Sequence, residues 1–196
     1  MFHRVTCTLT GATPYSQSYY LTTPRSAKQK ADDYDEAVWR EHAHTVKDGP
    51  KAGHIYIPSQ QFKNSLVDAA TFLRMRIPGK GQSTYSKHFK AGVQIENDLV
   101  LPVKAKDAEM EAVYCSADGK AGGSTKVLRR FPIIRQWTGE VRFLVADETI
   151  DEATFHTHLL TAGTLIGIGR WRPINNGKYG KFMIEKFKWE KIELPV

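Results

Sequence analysis

The residues with the clearest capacity for chemistry lie between Gly163 and Phe187, GTLIGIGRWRPINNGKYGKFMIEKF, a stretch with five glycines and two arginines flanking Trp171. Glycine reaches left-handed backbone conformations and admits a second backbone at close range. Successive exposed amides in such a loop form a nest for an anion such as phosphate. Gly167 and Gly169 open the loop, Arg170, Arg172, Lys178 and Lys181 place positive charge beside it, and Trp171 and Tyr179 offer flat faces. The alternative is structural: a helix end and a hairpin turn, with Trp171 buried and the arginines paired to acids. No Asp or Glu occurs between Ala153 and Ile184, so such partners would have to come from elsewhere in the chain.

Two further segments share this lack of acids. Ala69 to Ile95 carries Arg74, Arg76, Lys80, Lys87 and Lys90, and Gly119 to Gly139 carries Arg129, Arg130 and Arg135. The acids gather at Asp32–Glu36, Asp107–Glu111 and Asp147–Glu152. With a net charge of +7, this segregation predicts one electropositive face built from three segments and a polyanionic partner. Tyr15 and Tyr19, in a loop rich in turn residues, are candidates to stack bases or simply to pack that loop.

Other chemistries find less support. His42 and His44, like His156 and His158, are two apart, which on a helix puts them on different faces, whereas a zinc helix uses a spacing of four. Cys7 and Cys115 match no metal spacing and form no disulfide framework. There is no P-loop, dinucleotide fingerprint or Ser-His-Asp signature, so neither a cofactor nor a metal is expected. A histidine acting as general base stays open. No apolar run approaches the roughly 20 residues needed to cross a bilayer, and the N-terminus does not read as a signal peptide. A cytoplasmic protein is expected.

The elements that would position these groups follow from periodicity. His3–Thr10 alternates as a half-buried strand, and Asp32 opens a short amphipathic helix. His54–Pro58 is a short strand, Ser59 is an N-cap, and a helix runs from Gln60 to Met75. Val93–Val103 is a strand region broken at Asn97-Asp98. Residues 104–136 read as a long hairpin with a glycine-rich tip at 118–124. Trp137–Ala146 is a strand, Asp151 caps a helix through Leu165, and Phe182–Trp189 is the last strand. Without the insertions at about 25–58 and 104–136, the order is β-α-β-β-α-β, an α+β, ferredoxin-like (RRM-like) pattern in a single domain spanning 1–196.

The end of the chain resembles the glycine-rich loop of the RAMP superfamily of CRISPR proteins. The likeness rests on the helix Phe155–Leu165, Gly167-Ile-Gly169, Arg170, Arg172, Gly177-Lys-Tyr-Gly180 and Phe182. Leu9-Thr-Gly11 with Pro14, His54-Ile-Tyr-Ile-Pro58 with Gln61–Leu73, and Phe89-Lys-Ala-Gly92 resemble phage and prophage proteins that share this ending. The resemblance implies an RRM-like palm, a hairpin thumb at 104–136, and a backbone subunit that binds single-stranded nucleic acid and polymerises along it. The aromatic motifs by which ordinary RRM domains stack bases are absent. The expectation is a non-catalytic single-stranded nucleic-acid-binding protein, RNA or DNA, that forms homo-oligomers or filaments and joins other subunits of a nucleoprotein complex. A metal-independent endoribonuclease and a phage structural assembly protein are the alternatives.

Overall fold

The computed structural model describes residues 2–117 and 125–193 of the chain; the expected hairpin tip at 118–124 lies outside them. Alternation in the sequence becomes a sheet with one buried face. Strand β1, Phe2–Gly11, turns Val5, Cys7 and Leu9 inward, all with no exposed surface. It pairs antiparallel on one side with β8, Thr138–Val145, and on the other with β9, Phe182–Ile192; β4, Val93–Ile95, adds beyond β8. A slip of one residue would turn Val5, Cys7 and Leu9 out to water, at about 1.5–3 kcal/mol for each large apolar side chain, so the register is firmly specified. The outward positions of β1 are Arg4, Thr6, Thr8 and Thr10; Arg4 forms a two-pronged bond to Glu96 and Thr10 bonds Thr138.

The helices α2, Ser59–Leu73, and α4, Glu152–Thr161, cover the apolar side. Phe62, Leu66, Ala69 and Ala70 from α2 and Phe155 and Leu159 from α4 enter the same core as the strand residues. Asp151 caps α4, its Oδ1 accepting the Thr154 N–H at 2.7 Å. Ser59 is not the cap of α2 but its first residue. The acceptor comes instead from Asp98, whose Oδ1 takes the Ser59 N–H at 2.6 Å. The break expected at Asn97-Asp98 separates β4 from β5, Leu99–Lys104, which pairs with β3, His54–Ile57, in a small sheet of its own. A short helix without a clear sequence signal, α3 (Ser86–Gly92), precedes β4.

The two stretches expected as insertions pack together. α1, Ala31–Val38, is followed by a 3₁₀ turn, Trp39–His42, so the helix ends before His44. β6, Glu109–Ser116, and β7, Lys126–Ile134, form the expected hairpin, and β2, Tyr15–Ser16, extends it on the β7 side. This hairpin is not a free arm: Phe131, Ile133 and Ile134 are buried within the chain, and Phe131 lies against His42 with ring centres 4.9 Å apart. The structure is thus a mixed α+β fold with antiparallel sheets. Among the described residues, no helix is long and apolar enough to cross a membrane.

Candidate nucleic-acid interface

The glycine loop begins where α4 changes pitch. Residues Ala162–Ile166 form a π-turn, and a Cβ on Gly163 would come within 2.3 Å of the Phe182 carbonyl oxygen. Beyond it, Gly180 has φ 72° and a Cβ there would meet the Ile168 carbonyl oxygen at 1.8 Å; a Cβ on Gly177 would be equally close to that of Trp171. The loop's amides turn inward. Ile168 donates to Gly180, Arg170 to Ser16, Tyr179 to Trp171 and Gly180 to Pro14. The glycines at 163, 177 and 180 therefore serve close packing of backbone on backbone, and the amides of Ile168, Arg170, Tyr179 and Gly180 are engaged within the chain.

Its two arginines take different roles. Arg170 has a side chain only 8% exposed; it bonds Ser16 and Glu111 Oε2, both at 3.2 Å, and lies 3.9 Å above the Phe131 ring. Glu111 also accepts from the Tyr179 hydroxyl, which burial, with Glu111 adding to it, pushes up to about 12. Arg172 reaches outward to Asp68 on α2 at 2.9 Å. Trp171, at φ 52°, keeps an exposed face and stacks over Tyr179.

The remaining predicted positions scatter. Tyr15 has no exposed surface, its hydroxyl bonding Gln61 and Gln17, so it packs the loop and offers no stacking face. Tyr179 is likewise buried. Arg130 is buried against Asp32 and Asp35, Arg129 reaches Asp35, and Arg135 pairs with Glu109 at 2.7 Å. Acids distant in sequence thus return to the basic hairpin, and the single electropositive face expected from charge segregation does not form there. Arg74, Arg76, Lys80, Lys87 and Lys178 are exposed and Lys181 half-buried; Arg74 ends α2 in a left-handed conformation, and Lys80 bonds Thr149. Gly169, Arg172 and Lys90 do come together along a groove, with Tyr19 at its far end. Gly167 stands behind Arg172, where an added Cβ would lie 3.3 Å from the arginine's own.

This groove runs over α2. Its centre, about 310 Å³, is lined by Gln17, Ser18, His44, Gln61, Asn64 and the loop residues Ile168, Gly169, Arg170 and Arg172. It continues past Asn64, Asp68 and Arg172 to Lys63 and Lys90, and then along β4 to Gln94. At the other end it meets a cleft walled by Tyr19, Tyr20 and Tyr56, with His44 common to both. Gln17 braces the centre, giving its amide protons to Tyr56 O at 2.6 Å and to the Tyr15 hydroxyl at 2.8 Å and accepting the His44 N–H at 2.6 Å. Burial lowers the pKa of the His44 ring and so favours its neutral form. Lys63 donates to the carbonyls of Phe89 and Val93, and burial lowers its ammonium pKa. Two donors so used leave one of three for the groove. Sequence does not single out Lys63, Gln61 or Asn64, and weighs His44 only for its spacing from His42; the polar run Gln60–Asn64 on a helix with an apolar stripe was the available signal. His158 is a core ring, stacked on Phe89 at 4.3 Å and bonded to Thr154 O. Among the described residues, no three His, Cys, Asp or Glu side chains converge as metal ligands.

No protein-family model and no curated protein matches the chain. Among solved structures it is similar to a chain in the Type III-B Cmr-beta complex bound to cognate target RNA, at a TM-score of 0.51 and 11% identity, with 97% of this chain covered. It spans 61% of that chain's length. Weaker likenesses are to a chain of a CRISPR RNA-guided surveillance complex (TM-score 0.46, 12% identity, 100% of this chain and 72% of that one) and to Cmr6 from Pyrococcus furiosus (0.47, 10%, 94% and 99%). At these identities the likeness concerns fold: the chain has a fold similar to that of a chain in a type III-B CRISPR complex.

Proposed function

We propose that this chain is a non-catalytic single-stranded nucleic-acid-binding protein. It holds the phosphate backbone along the groove over α2 and assembles with further copies along the strand. One observation carries the reading: three neighbouring cavities share wall residues in series, leading from His44 past Arg172 to Lys63 and Lys90. Its cations are spaced along a track, as a polyphosphate backbone requires, and not gathered round one enclosed point. The fold likeness to a chain of an RNA-bound complex supports the reading, as does the resemblance of the glycine loop to that of the RAMP superfamily. In this reading β1, β4, β8 and β9 with α2 and α4 are a ferredoxin-like, RRM-like core of one domain. Residues 25–58 and 104–136 are insertions, the second thumb-like, and other subunits complete a nucleoprotein particle in a bacterial or phage-infected cell.

Binding of single-stranded RNA, single-stranded DNA and duplex across a salt series tests this. Single strands are expected to bind more tightly than duplex, with affinity falling linearly against log salt as counterions are released. Arg172→Ala with Lys90→Ala should flatten the salt slope by about one unit for each phosphate no longer held, with the melting temperature kept. Equal affinity for duplex and single strand, or a double variant that binds like the parent, would refute the reading.

A metal-independent endoribonuclease is the second reading, favoured by the His44 ring, whose pKa burial lowers, lining the same cleft as Arg172. Cleavage of single-stranded RNA in the presence of a chelator, abolished by His44→Ala, would replace the first reading with this one.

A further inference from the structure

Four rings meet at one end of the groove from three separate stretches of chain. Tyr19 and Tyr20 have centroids 4.4 Å apart, Tyr19 and His44 4.3 Å, and His44 and Tyr56 5.5 Å. They wall a cleft of about 280 Å³ that Arg40 and Lys47 also line. Core packing does not account for this cluster, since Tyr20 is 67% exposed. The backbone holds the rings in place: the Tyr19 N–H donates to His42 O at 2.9 Å and the Tyr56 N–H to His44 O at 3.0 Å. Glu41, a carboxylate beside the cleft, is engaged by the hydroxyls and N–H groups of Thr22 and Thr23. The cleft therefore presents flat faces and two cations, with its acid already satisfied.

We propose that this cleft takes one nucleobase splayed out of the strand, stacked on Tyr19 and Tyr20, while the backbone passes His44 toward Arg172. The inference rests on the backbone-holding reading above. Every base has a π-face, so the cleft selects for an unstacked base and not for a sequence. A base paired within a duplex cannot reach it, which supplies a preference for single strands that spaced cations alone do not.

The experiment compares a short deoxyoligonucleotide with the same backbone made abasic at every position, on the wild type, Tyr20→Ala and Tyr20→Phe. The wild type is expected to bind the abasic strand about tenfold more weakly. Tyr20→Ala should bind the base-bearing strand at that weaker level and leave abasic affinity and the salt slope unchanged; Tyr20→Phe should restore the difference. Equal wild-type binding of both strands with a steep salt slope overturns the base cleft and leaves the groove reading standing. A base dependence that Tyr20→Ala does not alter overturns the placement of the base at these rings. Binding of neither strand at low salt overturns the groove reading, and this inference with it.

Discussion

The guanidinium of Arg170 lies 3.9 Å from the centre of the Phe131 ring and 3.2 Å from Glu111, while that of Arg172, two residues on, meets Asp68 at the rim of the groove. Sequence places both in one basic cluster, yet Arg170 is a buried strut and Arg172 a half-buried partner of Asp68, both lining the groove. Glu111 belongs to β6, so the Arg170 pair ties the glycine loop to the hairpin. Removing a buried cation leaves its carboxylate partner uncompensated. Arg170→Ala should therefore lower the unfolding free energy by about 2–3 kcal/mol, somewhat less than for a fully buried pair because Glu111 is partly exposed. Arg170→Lys should recover little of this, since an ammonium cannot reproduce the planar stacking on Phe131. Urea unfolding of both variants checks the assignment; a parent-like midpoint for Arg170→Ala would show that the pair contributes nothing.

At the scale of elements, the helix-to-loop transition at 162–180 depends on absent side chains. Gly180 combines a left-handed φ of 72° with a carbonyl oxygen where its Cβ would stand. Left-handed strain on a non-glycine residue costs about 1–3 kcal/mol before any clash is counted. Gly180→Ala is thus expected to destabilise the fold by more than about 2 kcal/mol, and more than Gly79→Ala, whose added Cβ would meet open space at a similar φ. Thermal melts of the two variants make the comparison, and equal losses would mean that conformation alone sets the cost. The long elements were legible beforehand: β1, α2, α4, β8 and β9 follow from apolar spacing, and the hairpin from two strand-like arms about a glycine-rich tip. The cap of α2 was not, because Asp98 approaches it from 39 residues away.

For the whole molecule, folding reassigns the charges. Asp32 and Asp35 hold Arg130 as an internal brace and Glu109 pairs with the exposed Arg135, while Lys63, Lys90 and Arg172 line the groove over α2. Within the described residues β6 pairs only with β7, which leaves its outer edge open, with Tyr114 72% and Met110 45% exposed. An open edge with apolar side chains is a template for another chain. If copies assemble along a strand through this edge, Met110→Lys with Tyr114→Lys should abolish cooperative binding to a long single strand while affinity for a short one is kept. Titrations on both lengths decide it, and unchanged cooperativity would place the assembly surface elsewhere. Deleting 104–136 outright would be a poorer test, because Phe131, Ile133 and Ile134 belong to the buried interior.

What the sequence determined by itself were the properties that act over a few residues: strand and helix periodicity, the cap at Asp151, and the positions where backbone needs glycine. These depend on local sterics and on which side chains fall on one face, and both can be read along a single stretch of chain. Only the tertiary structure decided which basic residues face solvent, because ion pairing depends on distance in space, and Glu111 lies 59 residues from Arg170. It alone also brought Tyr19, His44 and Tyr56 to one cleft and laid Lys63, Lys90 and Arg172 along one groove.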